Sequence, residues 1–196
     1  MRALRESCGI EDINTDWASY QHTTDAGIFN EIFATRFDRA PRADESSAML
    51  ARFIELVAQH EIVEIPCARA FMDALREAGY HVAIASGCWR VSAELKLARA
   101  GFAFDDLPAA YCDDDVSRAG IMRTAAQRAD AQRFLYFGDG VWDARASRQL
   151  GVRMIGIGPH EARLRAEGVA DHFRDYRDPA ALLASVGREL DRSRHS

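Results

Sequence analysis

Along the first 64 residues the apolar positions recur at helical spacing. Ile28, Ile32 and Phe33 fall on one helix face, and Met49, Phe53, Leu56 and Val57 on another. Between them, the polar and proline-containing run RFDRAPRADESS predicts a loop, with Ser46 or Ser47 starting the next helix. No strand is predicted before residue 65.

After residue 65 the period changes and alternates. CARAFMDALREAG predicts an amphipathic helix closed by Gly79, and YHVAIASG a short strand. WRVSAELKLARAG predicts a helix closed by Gly101, LPAAYC a strand and SRAGIMRTAAQRA a helix. RFLYFGDG has the strongest strand pattern of the chain. VWDARASRQLG follows as a helix, VRMIGIG as a strand, ADHFRDY as a weaker last strand and PAALLASVGREL as the closing helix, with DRSRHS as a frayed end. Strands alternating with helices of this length predict βαβ units, a parallel sheet and right-handed crossovers. The fold class is therefore α/β: a Rossmann-like parallel sheet with an N-terminal helical region. The predicted division is 1–64 and 65–196.

Composition narrows the function more than the fold. The chain has 196 residues and a net charge of −5, without the basic excess of a general nucleic-acid binder. No run approaches the roughly 18 uninterrupted apolar residues of a membrane span. The N-terminus MRALRESCGI has no apolar signal-peptide region. Cys8, Cys67, Cys88 and Cys112 are widely spaced, which predicts reduced, buried thiols in a cytoplasmic protein. Of the 25 basic residues only Lys96 is a lysine, so any chemistry that needs an ammonium has one candidate.

Open parallel sheets bind ligands at the carboxyl ends of their strands. Two such ends are chemically distinctive, IASG and FGDG, and the rule predicts that Ser86, Asp139 and Asp143 converge. Asp139 is flanked by Gly138 and Gly140, which let the backbone turn sharply and a ligand approach. Asp143 falls in the first turn of the next helix. Two carboxylates at one strand end suit Mg²⁺, a hard cation that is held by one or two carboxylates plus water and phosphate. They equally suit a helix cap and a dipole partner. Ser86 and Gly87, followed by a helix near Trp89, suit a phosphate held by a hydroxyl and exposed backbone N–H groups; they also suit an ordinary N-cap.

Taken together, PCARAFMDALREAGYHVAIASG and FLYFGDGVWDARASRQLGVRMIGIG resemble the haloacid dehalogenase (HAD) superfamily, of the phosphatase type that includes phosphoglycolate phosphatase and β-phosphoglucomutase. The resemblance covers roughly residues 65 to 178. It implies that Ser86 is the family's strand-end hydroxyl and that Asp139 and Asp143 are its GDxxxD metal pair. Arg118 takes the basic position by chain order, with Lys96 the alternative. The stretch before residue 65 resembles the family's inserted helical cap. Within DWASYQHTTDAGI, His22 and Asp25 are substrate-binding candidates; Thr24 or Asp25 as a helix start, with Trp17 and Tyr20 as packing residues, is the plainer reading.

The family's first motif, Asp-x-Asp-x-Thr or Asp-x-Asp-x-Val after the first strand, supplies the attacking carboxylate and the general acid–base. It does not occur in residues 1–196. EDINTDW offers Asp12 and Asp16 without an apolar strand before them. Three expectations follow from this: a natural protein longer at its N-terminus, a short product without phosphatase activity, or another aspartate in the role. The implied parent activity is Mg²⁺-dependent hydrolysis of a small phosphorylated metabolite through an aspartyl-phosphate, with this chain inactive alone. A catalytically silent phosphate- and metal-binding or regulatory protein is the alternative. A dinucleotide-binding domain fits poorly, because FGDGVWD does not supply GxGxxG.

Overall fold

The computed structural model describes residues 1–192, so residues 193–196 of the predicted frayed end lie outside the described residues. The helices are α1 (Arg2–Cys8), α2 (Asp25–Phe37), α3 (Ala43–Ala58), α4 (Ala68–Glu77), α5 (Arg90–Arg99), α6 (Arg118–Arg128), α7 (Val141–Leu150), α8 (Glu161–Ala166) and α9 (Pro179–Arg192). The strands are β1 (Ile84–Ala85), β2 (Ala109–Ala110), β3 (Tyr136–Gly138), β4 (Met154–Ile157) and β5 (Asp171–Phe173). Helices and strands alternate from α4 onward, as the sequence predicts for an α/β fold. Among the described residues no helix is long and apolar enough to cross a membrane.

The chain forms two compact units. The first comprises Met1–Val63, Ala85–Asp105 and Ala110–Ile121. Its core is Ala3, Leu4, Ile10, Phe29, Ile32, Phe33 and Met49, with Phe53 and Trp89 packed against it. The helical periodicity therefore placed Ile32, Phe33 and Met49 correctly. Helix α2 starts where Thr24 Oγ1 accepts the Gly27 N–H at 3.1 Å, the N-cap bond that a threonine supplies. Helix α3 begins at Ala43, three residues before the expected Ser46, so the predicted loop shrinks to residues 38–42. The cause is Glu45. Its carboxylate accepts the Arg42 N–H at 2.8 Å and pairs with Arg39 at 2.7 Å, which fastens the first turn.

The second unit comprises Glu64–Ile84, Asp106–Ala109 and Met122–Ser196. It holds a parallel sheet of order β3-β4-β5, in register Tyr136 to Met154 and Ile155 to Asp171. Phe71, Leu75, Ile155, Ile157, Leu182 and Val186 form its main core. The longest strand is β4, buried at all four residues, rather than the segment RFLYFGDG, of which only three residues are strand. Position explains the difference: β4 is central, and a central parallel strand is covered on both faces. The short helix α8 was not anticipated. Strands β1 and β2 are two residues each. Their bonds, Ile84 N–H to Pro108 O (2.8 Å) and Ser86 N–H to Ala110 O (2.9 Å), advance in the same direction along both chains, the parallel pattern.

The cysteines correct one expectation. All four are free, but only Cys112 is buried, while Cys67 is exposed with φ of 65° at the start of α4. A left-handed position in the turn before a helix takes Cys67 out of the core.

Ile155 is fully buried at the centre of the sheet. Ile155→Ala is expected to cost about 2–5 kcal/mol, since the cavity adds to the lost transfer energy. Urea denaturation of the two proteins checks this.

Candidate functional site

In the first unit, Ser86 follows β1 directly and is half-buried. Its Oγ accepts the Cys88 N–H at 3.2 Å, which leaves the hydroxyl hydrogen as a donor. The Asp25 N–H donates to Gly87 O at 2.8 Å, and Asp25 Oδ2 accepts the Trp89 N–H at 3.2 Å. The Arg90 N–H donates to Asp113 Oδ2 at 2.6 Å. These bonds correct the expectation of exposed N–H groups at the start of α5. Those of Cys88, Trp89 and Arg90 are used by side-chain caps, because a helix start leaves its first donors to be satisfied from outside the helix.

The donors gathered around this loop are instead cationic. A Cβ placed on Gly87 would stand 2.6 Å from Arg118 Cζ, so the guanidinium occupies the space that any other residue would fill. Arg118 Nη2 also donates to Thr23 O at 3.2 Å, which anchors it. Lys96 Nζ donates to Cys88 Sγ at 3.2 Å. Burial raises the pKa of Asp25 above the usual carboxylate range. Lys96, the Trp89 N–H, Arg118 and the Cys88 thiol each act in the opposite direction. Two cations, Lys96 and Arg118, thus act on the Asp25 carboxylate, while Asp113 caps the same loop at the Arg90 N–H.

Of the predicted residues, the first unit thus brings together Ser86, Gly87, Asp25, Arg118 and Lys96. Between the two basic candidates, Arg118 lies over Gly87, whereas Lys96 lies on the Cys88 sulfur. His22 packs its Cβ and carbonyl toward Gly27, in the entry to α2. Sequence reasoning missed Cys88 and the Thr23 carbonyl. The only available signal for Cys88 was its place two residues after Ser86; nothing marked a backbone carbonyl.

In the second unit, Asp139 follows β3 and is exposed, while Asp143 in the first turn of α7 is 2% exposed. Asp143 Oδ2 accepts the Gly140 N–H at 3.1 Å, so the capping role is realised by one carboxylate oxygen. A Cβ on Gly138 would come within 2.9 Å of Asp143 Oδ2 and 2.8 Å of Tyr136 Cε1. The absent Cβ is what seats Asp143 against the strand. Burial, with Asp139 nearby, pushes the Tyr176 phenol up to about 12. Among the described residues no three His, Cys, Asp or Glu side chains gather as a metal cluster. Two hard carboxylates on one loop, one exposed and one buried, do match in kind and number the protein donors that Mg²⁺ usually takes.

The family model for haloacid dehalogenase-like hydrolases matches residues 4–151. Solved structures share the fold. A hydrolase from Pseudomonas syringae superposes with a TM-score of 0.74 at 17% identity, over 94% of this chain and 90% of the other. A HAD family hydrolase from Deinococcus radiodurans R1, with bound phosphate and sodium, gives 0.56 at 23% identity, over 95% and 86%. CbbY from Rhodobacter sphaeroides, in complex with xylulose-(1,5)bisphosphate, gives 0.59 at 20%, over 89% and 86%. No curated protein matches the chain significantly.

The raised pKa of Asp25 has a sign that can be measured. Folding favours its protonated form, so that contribution is present below the ordinary carboxylate range and is lost as pH rises through the raised value. The stability of Asp25→Asn relative to the natural chain should therefore grow as pH climbs through that window, then level off. Urea midpoints from acidic to neutral pH check the trend, and a difference that shrinks over the same window would contradict it.

Proposed function

The chain belongs to the haloacid dehalogenase-like hydrolases, and from that premise we propose that its residues serve Mg²⁺-dependent hydrolysis of a small phosphate monoester. The observation that carries this reading is the approach of Arg118 to Gly87, one residue after the Ser86 hydroxyl. A planar guanidinium and a hydroxyl at one strand end are suited to phosphate, which arginine binds through paired N–H groups. Ser86 orients the phosphate, and Arg118 stabilises the charge that develops on its oxygens. Lys96 balances Asp25 and stands apart from the phosphate. Asp139 and Asp143 would hold Mg²⁺, which supplies Lewis-acid polarisation of phosphoryl oxygens when bound.

Residues 1–64 act in this proposal as the family's helical cap and residues 65–196 as its core, with His22 and Asp25 on the substrate-recognition side. A small phosphorylated metabolite is the substrate class. The phosphate in the Deinococcus protein and the sugar bisphosphate in the Rhodobacter one support that class. The free thiols support a cytoplasmic setting. Residues 1–196 contain no Asp-x-Asp-x-Thr or Asp-x-Asp-x-Val, and on this proposal the chain alone leaves a phosphate monoester unhydrolysed. The same feature supports a second reading, a silent protein that binds phosphate and metal without hydrolysing them.

Two measurements test this. In Mg²⁺, inorganic phosphate at about 100 times its Kd should stabilise the chain by about 2.7 kcal/mol. Gly87→Ala should abolish that stabilisation by displacing the Arg118 guanidinium, at small cost to the fold because the displaced group is the end of a flexible side chain. Retained phosphate binding in Gly87→Ala would remove the basis of the assignment. Second, the purified 196-residue chain should leave p-nitrophenyl phosphate at background rate with Mg²⁺. Mg²⁺-dependent turnover that disappears in Asp139→Asn would show that a nucleophile is present after all.

A further inference from the structure

The geometry around Cys88 points to a modification site that the phosphate reading does not use. We propose that Cys88 and Lys96 form an oxidant-driven covalent pair, in which peroxide converts the thiol to a sulfenic acid and Lys96 Nζ captures it as a sulfur–nitrogen link. Lys96 Nζ stands 3.2 Å from Cys88 Sγ. The Asp25 carboxylate accepts the N–H of the next residue, Trp89, at 3.2 Å, so an acidic group borders the same loop. Cys88 itself is held in place by its N–H bond to Ser86 Oγ. It is half-buried, which admits a small oxidant.

The sequence of events is balanced. The thiolate form of Cys88 attacks one peroxide oxygen and expels hydroxide, which takes up the proton the thiol released. The product is Cys88 sulfenic acid. Lys96, after losing one proton, attacks the sulfur through its nitrogen lone pair and displaces the sulfenic oxygen as water. In total, one thiol, one ammonium and one hydrogen peroxide give one S–N bond, two waters and one proton. Sulfur loses two electrons and the peroxide gains them. Condensation of a sulfenic acid with a nearby nitrogen is established chemistry for backbone amides, and a side-chain amine is the better nucleophile.

Two features favour Lys96 over its competitors. It is the only lysine of the chain, and arginine guanidinium groups stay protonated and do not attack. The rival thiol, Cys112, lies on the neighbouring segment, where its N–H donates to Cys88 O at 3.2 Å. Burial pushes that thiol up to about 12, so little thiolate is present to form a disulfide.

The test treats the native chain with a small excess of hydrogen peroxide, blocks residual thiols, digests with trypsin and reads masses. The expected product joins the peptide of residues 77–90 to that of residues 91–99, uncut at Lys96, lighter than the sum by the pair of hydrogens lost and released by dithiothreitol. A disulfide joining residues 77–90 to residues 100–118 would overturn the proposal, as would sulfinic or sulfonic acid at Cys88 beside an unmodified Lys96. Lys96→Arg keeps the charge but cannot capture the intermediate. Dimedone labelling of Cys88 after peroxide should therefore rise several-fold in Lys96→Arg, and equal labelling of both proteins would also overturn the proposal. None of these readouts depends on phosphatase activity.

Discussion

The first unit depends on two hydrogen bonds made by one residue. Asp25 gives its backbone N–H to Gly87 O and takes the Trp89 N–H on its carboxylate. Both ends of this exchange are groups that helix starts leave unsatisfied: one at α2, one at α5. Each helix thus caps with the help of the other's loop. Thr24 adds a bond from its hydroxyl to Val116 O at 2.8 Å, and Arg118 adds one to Thr23 O. Trp89 then packs edge-on to Phe29 and Phe53, at 6.2 and 5.5 Å between ring centroids. These contacts explain why two distant stretches, 85–105 and 110–121, belong to the same compact unit as the N-terminal helices. The chemically distinctive loop after β1 is set by the helices that precede it in the chain.

That arrangement also shows what the sequence could and could not reveal. Local signals were legible: the faces of α2 and α3, Thr24 as an N-cap, and the alternation of elements after residue 65. Each depends on neighbours within a turn or two. The start of α3 was misplaced because Glu45 closes the turn from inside with help from Arg39, and a serine-rich run looks like a better cap. The use of α5's N–H groups was misread for a related reason. Asp25 and Asp113 are 64 and 23 residues away from the groups they cap, and no local pattern announces them. The rank of β3 over β4 was wrong because apolar runs do not report which strand is central.

The carboxylate pair in the second unit shows how one reading of a motif can be met without ruling out the other. For Asp139 and Asp143 the sequence left metal ligand and helix cap open. Capping by Asp143 uses one oxygen, at 3.1 Å from the Gly140 N–H. A carboxylate has two oxygens and about four lone-pair sites, so a cap fixes its orientation without exhausting its capacity. Burial at 2% exposure keeps the Asp143 carboxylate rigid, whereas Asp139 stays exposed to solvent. In the proposed Mg²⁺ role, a buried, oriented carboxylate beside an exposed one would separate the tasks of holding a cation and admitting it.

The glycines of the two loops sharpen this further. The sequence suggested that Gly138 and Gly140 permit a sharp turn. Neither they nor Gly87 has a positive φ, unlike Gly79, Gly101 and Gly151 at the ends of helices. An L-residue could adopt these backbones, so conformational freedom is not what selects glycine there. Space is. A Cβ at Gly87 would collide with the Arg118 guanidinium, and one at Gly138 with the Asp143 carboxylate. In each unit a charged side chain from the start of a helix, Arg118 of α6 or Asp143 of α7, lies in the volume of a missing methyl group. The approach of charge to a strand end therefore requires glycine on the strand side, and the same small residue that looks like a hinge in the sequence acts in the fold as a seat for the charged group.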